Sequence, residues 1–138
     1  MRRKLIAPLL ALTGVLIGLG AFGHCFVGRK SLDAGLAQVT LDPHTAKLIY
    51  LVWYFCGGCM LVFGLVVIAT AWRAWRGDSR GLSVASLIGI FYVLIGVLAL
   101  GHMREAFWSV FVILGALALI FSLALTKTGK QSKSNQAD

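Results

Sequence analysis

The sequence predicts an all-α, polytopic membrane protein: a four-transmembrane-helix up-and-down bundle with both termini on the cytoplasmic side. Three observations carry this expectation. The first is composition: 59% of the 138 residues are hydrophobic, only 13% are charged, and the mean hydropathy is +0.86. A soluble domain carries about 25% charged residues, so this chain cannot clothe a water-facing surface. The second is the presence of long apolar runs separated by short polar stretches. The third is where the basic residues fall. The formal charge is +8, but Lys and Arg flank the apolar runs. That is the pattern of a membrane surface rather than of a nucleic-acid partner.

The first span, residues 5–27, follows Met1-Arg2-Arg3-Lys4. At about 1.5 Å per residue it can cross a hydrocarbon core of about 30 Å. It is about twice as long as a signal-peptide apolar region. His24 stands where a lipoprotein cleavage site needs a small residue, so the reading is an uncleaved helix. Ala7, Ala11, Gly14, Gly18, Ala21, Cys25 and Gly28 recur at alternating steps of four and three residues. This spacing gathers them on one helical stripe, where small side chains let another backbone approach closely.

A first loop is expected over 28–45, with a short interfacial helix within Ser31–Leu41. Asp42-Pro43 is a helix start, the carboxylate capping and the proline at the first helical position. The second span, 47–72, carries Tyr50, Trp53 and Tyr54 toward one end and Trp72 and Trp75 near the other, as interfacial aromatic belts. Arg73–Arg80 is a short basic loop. The third span, 81–101, aligns Ser86, Gly89, Val93 and Gly96. The hinge 102–105 is too short for anything but an antiparallel hairpin. The fourth span, 106–125, presents Gly115, Ala118 and Ser122. The polar tail 126–138 is expected to be disordered. The N-terminus, the second loop and the tail hold nine of the 13 Lys and Arg residues, which places all three inside.

No Asp, Glu, Lys or Arg falls at mid-depth in any span, and no proline breaks a span centrally. Ion-coupled transporters need such groups, so transport of that kind is disfavoured, and no catalytic set stands out. His24, His44 and His102 all fall at the outer ends of spans, beside Cys25, Asp33, Asp42 and Glu105. Imidazole, thiolate and carboxylate are ligands for zinc, copper or haem iron, and imidazole also hydrogen-bonds quinones. Against a metal site, histidines favour the polar ends of membrane helices, and no pair has i, i+4 spacing.

Cys56-Gly57-Gly58-Cys59 has the dithiol spacing of disulfide exchange. In this it resembles the small four-helix oxidoreductases that form disulfides in bacterial membranes. It departs from them in the depth of the pair and in having only Cys25 besides. The plain reading is two small apolar residues packing beside Gly57. The segment His24–Gly64 resembles a group of small, uncharacterised bacterial four-helix inner-membrane proteins through His24, Gly28, Arg29, Lys30, Pro43 and Trp53. Tyr54 stands where those proteins often carry a second histidine. The resemblance implies a multi-pass protein of the bacterial inner membrane and no particular activity.

Two functional expectations follow. One is a scaffold or accessory subunit, free of cofactor, that packs against other membrane subunits or its own copy through glycine faces: Gly14, Gly18, Ala21, Gly57, Gly89, Gly96 and Gly115. The other is a redox, metal- or haem-binding protein (Cu or Zn) using His24, with His44, His102 or Cys25, at the outer face.

Overall fold

The computed structural model describes residues 2–134, with side chains over 3–128. The chain is all-helical, and no strand occurs among the described residues. Helix α1 (Arg2–Phe22) passes into a π-helical segment (Gly23–Gly28) and on into α2 (Arg29–Leu36). Then come α3 (Pro43–Trp75), α4 (Leu82–Met103), a 3-10 turn (Ala106–Trp108) and α5 (Ser109–Ser134). Four helical stretches, Arg3–Leu36, Pro43–Trp75, Leu82–Met103 and Ala106–Thr128, are long and apolar enough to cross a membrane. The fold is therefore that of a multi-pass helical membrane protein.

The first helix does not stop at Val27. The π turn carries it without a break to Leu36, so the expected loop shrinks to residues 37–42 and the expected interfacial helix becomes its last turns. Keeping the backbone hydrogen-bonded internally favours this continuity near a membrane, where an opened turn is costly. At about 1.5 Å per residue, Arg3–Leu36 and α3 are each roughly 50 Å long, while α4 is roughly 33 Å. The first hairpin therefore overreaches the second at the end opposite the loop Arg76–Gly81. Asp42 caps α3 as expected, accepting from the backbone N–H of His44 (2.9 Å) and Thr45 (3.0 Å). The tail read as disordered continues α5 as far as Ser134, with the Thr126 hydroxyl donating to the Ser122 carbonyl at 2.9 Å. Residues 135–138 of that tail lie outside the described residues.

Two glycine-lined hairpins make the bundle. In the first, a Cβ on Gly64 of α3 would come within 2.7 Å of both the Gly14 carbonyl oxygen and the Gly18 nitrogen of α1. In the second, a Cβ on Gly115 of α5 would stand 2.6 Å from the Gly89 carbonyl oxygen of α4, and one on Gly96 would stand 2.7 Å from Val112. The Ser86 and Ser122 hydroxyls add a 2.7 Å hydrogen bond across α4 and α5. The hairpins join through α1 and α5, giving the spatial order α3, α1, α5, α4. The core runs along α1, with Ala7, Leu10, Thr13 and Ile17 buried beside Val67, Ala85 and Leu125.

At the end that carries the loop, the Arg3 guanidinium donates to the Gly77 carbonyl at 2.8 Å and to the Ser79 hydroxyl. Gly77 and Gly81 take the left-handed conformation that the turn requires, at φ 94° and 90°. Hydrogen bonds from the Arg80 backbone and side chain hold the Asp78 carboxyl below its ordinary range. Away from this loop α3 and α4 diverge, and the gap between them forms the site described next.

Candidate functional site

A cavity of about 680 Å³ lies between the two hairpins. On α3 its wall runs from Thr45 to Phe63, and α4 contributes Phe91, Tyr92 and Ile95. Trp108 and Phe111 close it from the 3-10 turn and α5, and His24 reaches it from the π segment. Eighteen residue steps along α3 make it roughly 27 Å long. Phe55 and Ile95 on its margins are 68% and 39% exposed, so the opening faces sideways. No Lys, Arg, Asp or Glu lines it.

The wall is built largely of rings. Phe63 meets Phe91 edge-on at 5.6 Å and Tyr92 at 6.4 Å. Phe111 lies against Tyr92 at 5.7 Å and against Trp108 at 5.6 Å. These separations fall in the range of favourable aromatic pairs, about 4.5–7 Å. Tyr92 is only 2% exposed, and its hydroxyl has no hydrogen-bond partner; nor has the buried indole N–H of Trp108. In hydrocarbon no bulk water is at hand to satisfy such groups.

At the cavity's upper corner α1 and α3 are clamped together. The imidazole of His24 stacks on the Trp53 ring at 4.0 Å and 15°. His24 Nε2 lies 3.1 Å from the Trp53 carbonyl oxygen, and the Trp53 indole N–H donates to the His24 carbonyl at 3.1 Å. A carbonyl only accepts, so the bond calls for a hydrogen on Nε2. A π turn displaces a carbonyl from the regular ladder, and here the Trp53 indole serves the His24 carbonyl within that turn. Small residues make the clamp possible: a Cβ on Gly28 would stand 2.9 Å from the Trp53 ring, and one on Gly57 would collide with the Cys25 sulfur.

Outside the clamp, α2 is tied to α3 by a polar cluster. Arg29 pairs with Asp33 at 3.5 Å, donates to the Tyr54 hydroxyl and lies 5.6 Å from the Tyr50 ring centre. The Tyr50 hydroxyl donates to Asp33 at 2.7 Å.

The glycine positions and the histidines fare differently. Gly14, Gly57, Gly89, Gly96 and Gly115 meet neighbours within this chain, and Ala21 sits below Gly57 in the same seam; a Cβ on Gly18 would meet only Leu61, at 4.0 Å. These seams are filled from within the chain. His44 and His102 are exposed, and no group of three His, Cys, Asp or Glu that could hold a metal occurs among the described residues. His24 is stacked on Trp53, with Cys25 beside it next to Gly57, while His44 and His102 sit at exposed helix ends. Cys56 and Cys59 both line the cavity and, like Cys25, carry free thiols.

Sequence reasoning passed over Tyr92 and Trp108, and read Trp53 as an interfacial aromatic and as one of the residues of the family resemblance. A tyrosine inside an otherwise apolar span was a usable signal for the first. Compared with known proteins, the chain matches no family model, no curated protein and no solved structure.

Proposed function

We propose that this chain is an intramembrane binding protein for a lipid-soluble small molecule, which enters sideways between α3 and α4. The observation that carries the reading is the long, ring-walled cavity, with two unpartnered donors of Tyr92 and Trp108 buried within its wall. Its volume lies within the range of about 300–1,000 Å³ that accommodates drug-sized ligands. An accessory-subunit role drew its support from glycine faces, and most of those are occupied within the chain. Metal or haem chemistry drew its support from the histidines, and no group of three His, Cys, Asp or Glu that could hold a metal occurs among the described residues. The lysine and arginine distribution supports an orientation with the Arg76–Gly81 loop on the cytoplasmic side.

The test uses intact protein in mild detergent, with decyl-naphthalene as a flat, apolar probe. Alkylation of Cys59 by N-ethylmaleimide is followed by mass spectrometry. Saturable slowing of Cys59 alkylation, lost when Ile95→Trp fills the mouth, supports the reading. A wild-type protein that unfolds cooperatively yet shows no protection by this probe or by ring compounds of similar size overturns it.

A further inference from the structure

We infer that the molecule held between α3 and α4 carries its polarity as carbonyl acceptors on a flat ring, the chemistry of a lipid-soluble quinone. The inference rests on the binding-protein reading and deepens it. Four features of the wall lead to it.

First, the unpartnered groups are donors. The indole N–H of Trp108 can only donate, and the Tyr92 hydroxyl, with no neighbour to accept its proton, has one to give. Second, the wall holds no charge. Without Lys or Arg it offers nothing to a phosphate or carboxylate, which argues against a phospholipid head or a fatty acid; without Asp or Glu it offers nothing to an amine. Third, the faces presented are rings. Phe63, Phe91, Tyr92, Phe111 and Trp108 suit a flat π-system better than a flexible acyl chain. Fourth, the slot is long. Roughly 27 Å of groove along α3 takes a ring at the level of Tyr92 and leaves room for an aliphatic chain toward Thr45 and the open side.

The two donors are covered by neighbouring atoms, each with under 1 Å² accessible. A carbonyl therefore reaches them when a wall ring turns aside. Such a turn gives both donors the acceptor they lack, which a hydrocarbon ligand cannot do. Selectivity for the carbonyl form is then set by the recovered hydrogen bonds, about three- to tenfold for each donor.

The experiment compares two probes of one skeleton, decyl-naphthalene and the corresponding decyl-naphthoquinone, in the intact protein. Protection of Cys59 from N-ethylmaleimide is the common readout. The quinone is expected to bind at least about tenfold more tightly than the hydrocarbon. Tyr92→Phe and Trp108→Phe are each expected to reduce that preference about three- to tenfold, and cooperative unfolding of each variant, followed by circular dichroism, shows that it is folded. Equal affinity for the two probes overturns the inference and leaves the binding-protein reading standing. A quinone preference that survives both substitutions overturns the assignment of the two donors. Failure of both probes to protect Cys59 removes the cavity reading and the inference with it.

Discussion

Replacing Tyr92 by Phe should not weaken the ligand-free protein, although tyrosine-to-phenylalanine changes at buried positions commonly do. The hydroxyl is buried, with the residue 2% exposed, and it has no partner. A buried donor left unsatisfied costs about 1–3 kcal/mol, and removing it recovers that amount. The ring keeps its place, since its contacts with Phe63 at 6.4 Å and Phe111 at 5.7 Å involve no oxygen. The expected change in unfolding free energy therefore runs from zero to a gain of about 3 kcal/mol. Ser122→Ala supplies the contrast. That hydroxyl is bonded to Ser86 at 2.7 Å, so its loss should cost about 0.6 kcal/mol, the average for hydrogen bonds between membrane helices. Both variants can be measured by reversible unfolding of ligand-free protein in mixed detergent micelles, followed by circular dichroism. A loss of more than about 1 kcal/mol in Tyr92→Phe would refute the reasoning, because it would mean that the hydroxyl is satisfied by a partner.

Further outcomes follow from other contacts. Gly64→Ala places a methyl against the backbone of Gly14 and Gly18 at 2.7 Å, so the same unfolding assay should show a loss of about 1–3 kcal/mol. Gly23→Ala, with nothing within 4 Å, should be neutral or slightly stabilising. In a double-mutant cycle, His24→Ala and Trp53→Phe should show a coupling of about 0.5–3 kcal/mol, because the two residues exchange hydrogen bonds and share a stacked face. Hydrogen bonding from the Thr45 side chain, then from the Thr45 and His44 backbone, holds the Asp42 carboxyl below its ordinary value of 3.8. A lowered native value means that its contribution is complete above the ordinary value and disappears as pH falls through the native one. Unfolding titrated into acid should show that loss in the wild type, and Asp42→Asn should flatten it.

Much of the fold was legible because hydrophobic length and small-residue spacing are properties of single helices. The small-residue stripe that runs through α1 and the π segment does face α3, and Asp42-Pro43 does start α3. The end of the first helix was misread for a physical reason. Gly28, Arg29 and Lys30 look like an exit from the membrane, but leaving a hydrocarbon core does not oblige a helix to stop. With a π turn absorbing the irregularity, the chain runs on to Leu36. The cavity was hidden for a different reason. It arises from the divergence of α3 from α4, and that depends on which helices are neighbours rather than on any one periodicity. Tyr92 and Trp108 acquire meaning only there, since a missing partner is a property of the assembled bundle. The histidines show the converse. They share an end of the molecule in sequence terms, but the packing gives each a separate surrounding.

The most direct test of the account is photolabelling of the intact protein in lipid nanodiscs with a diazirine-bearing alkyl naphthoquinone, the adducts being mapped by mass spectrometry. The account predicts labelling concentrated on the cavity stretch of α3 and on Phe91, Tyr92 and Ile95, competed away by unlabelled quinone and shifted by Tyr92→Phe. Labelling spread evenly over outward residues such as Leu9, Leu19, Leu94 and Leu98, and indifferent to competitor, would contradict it.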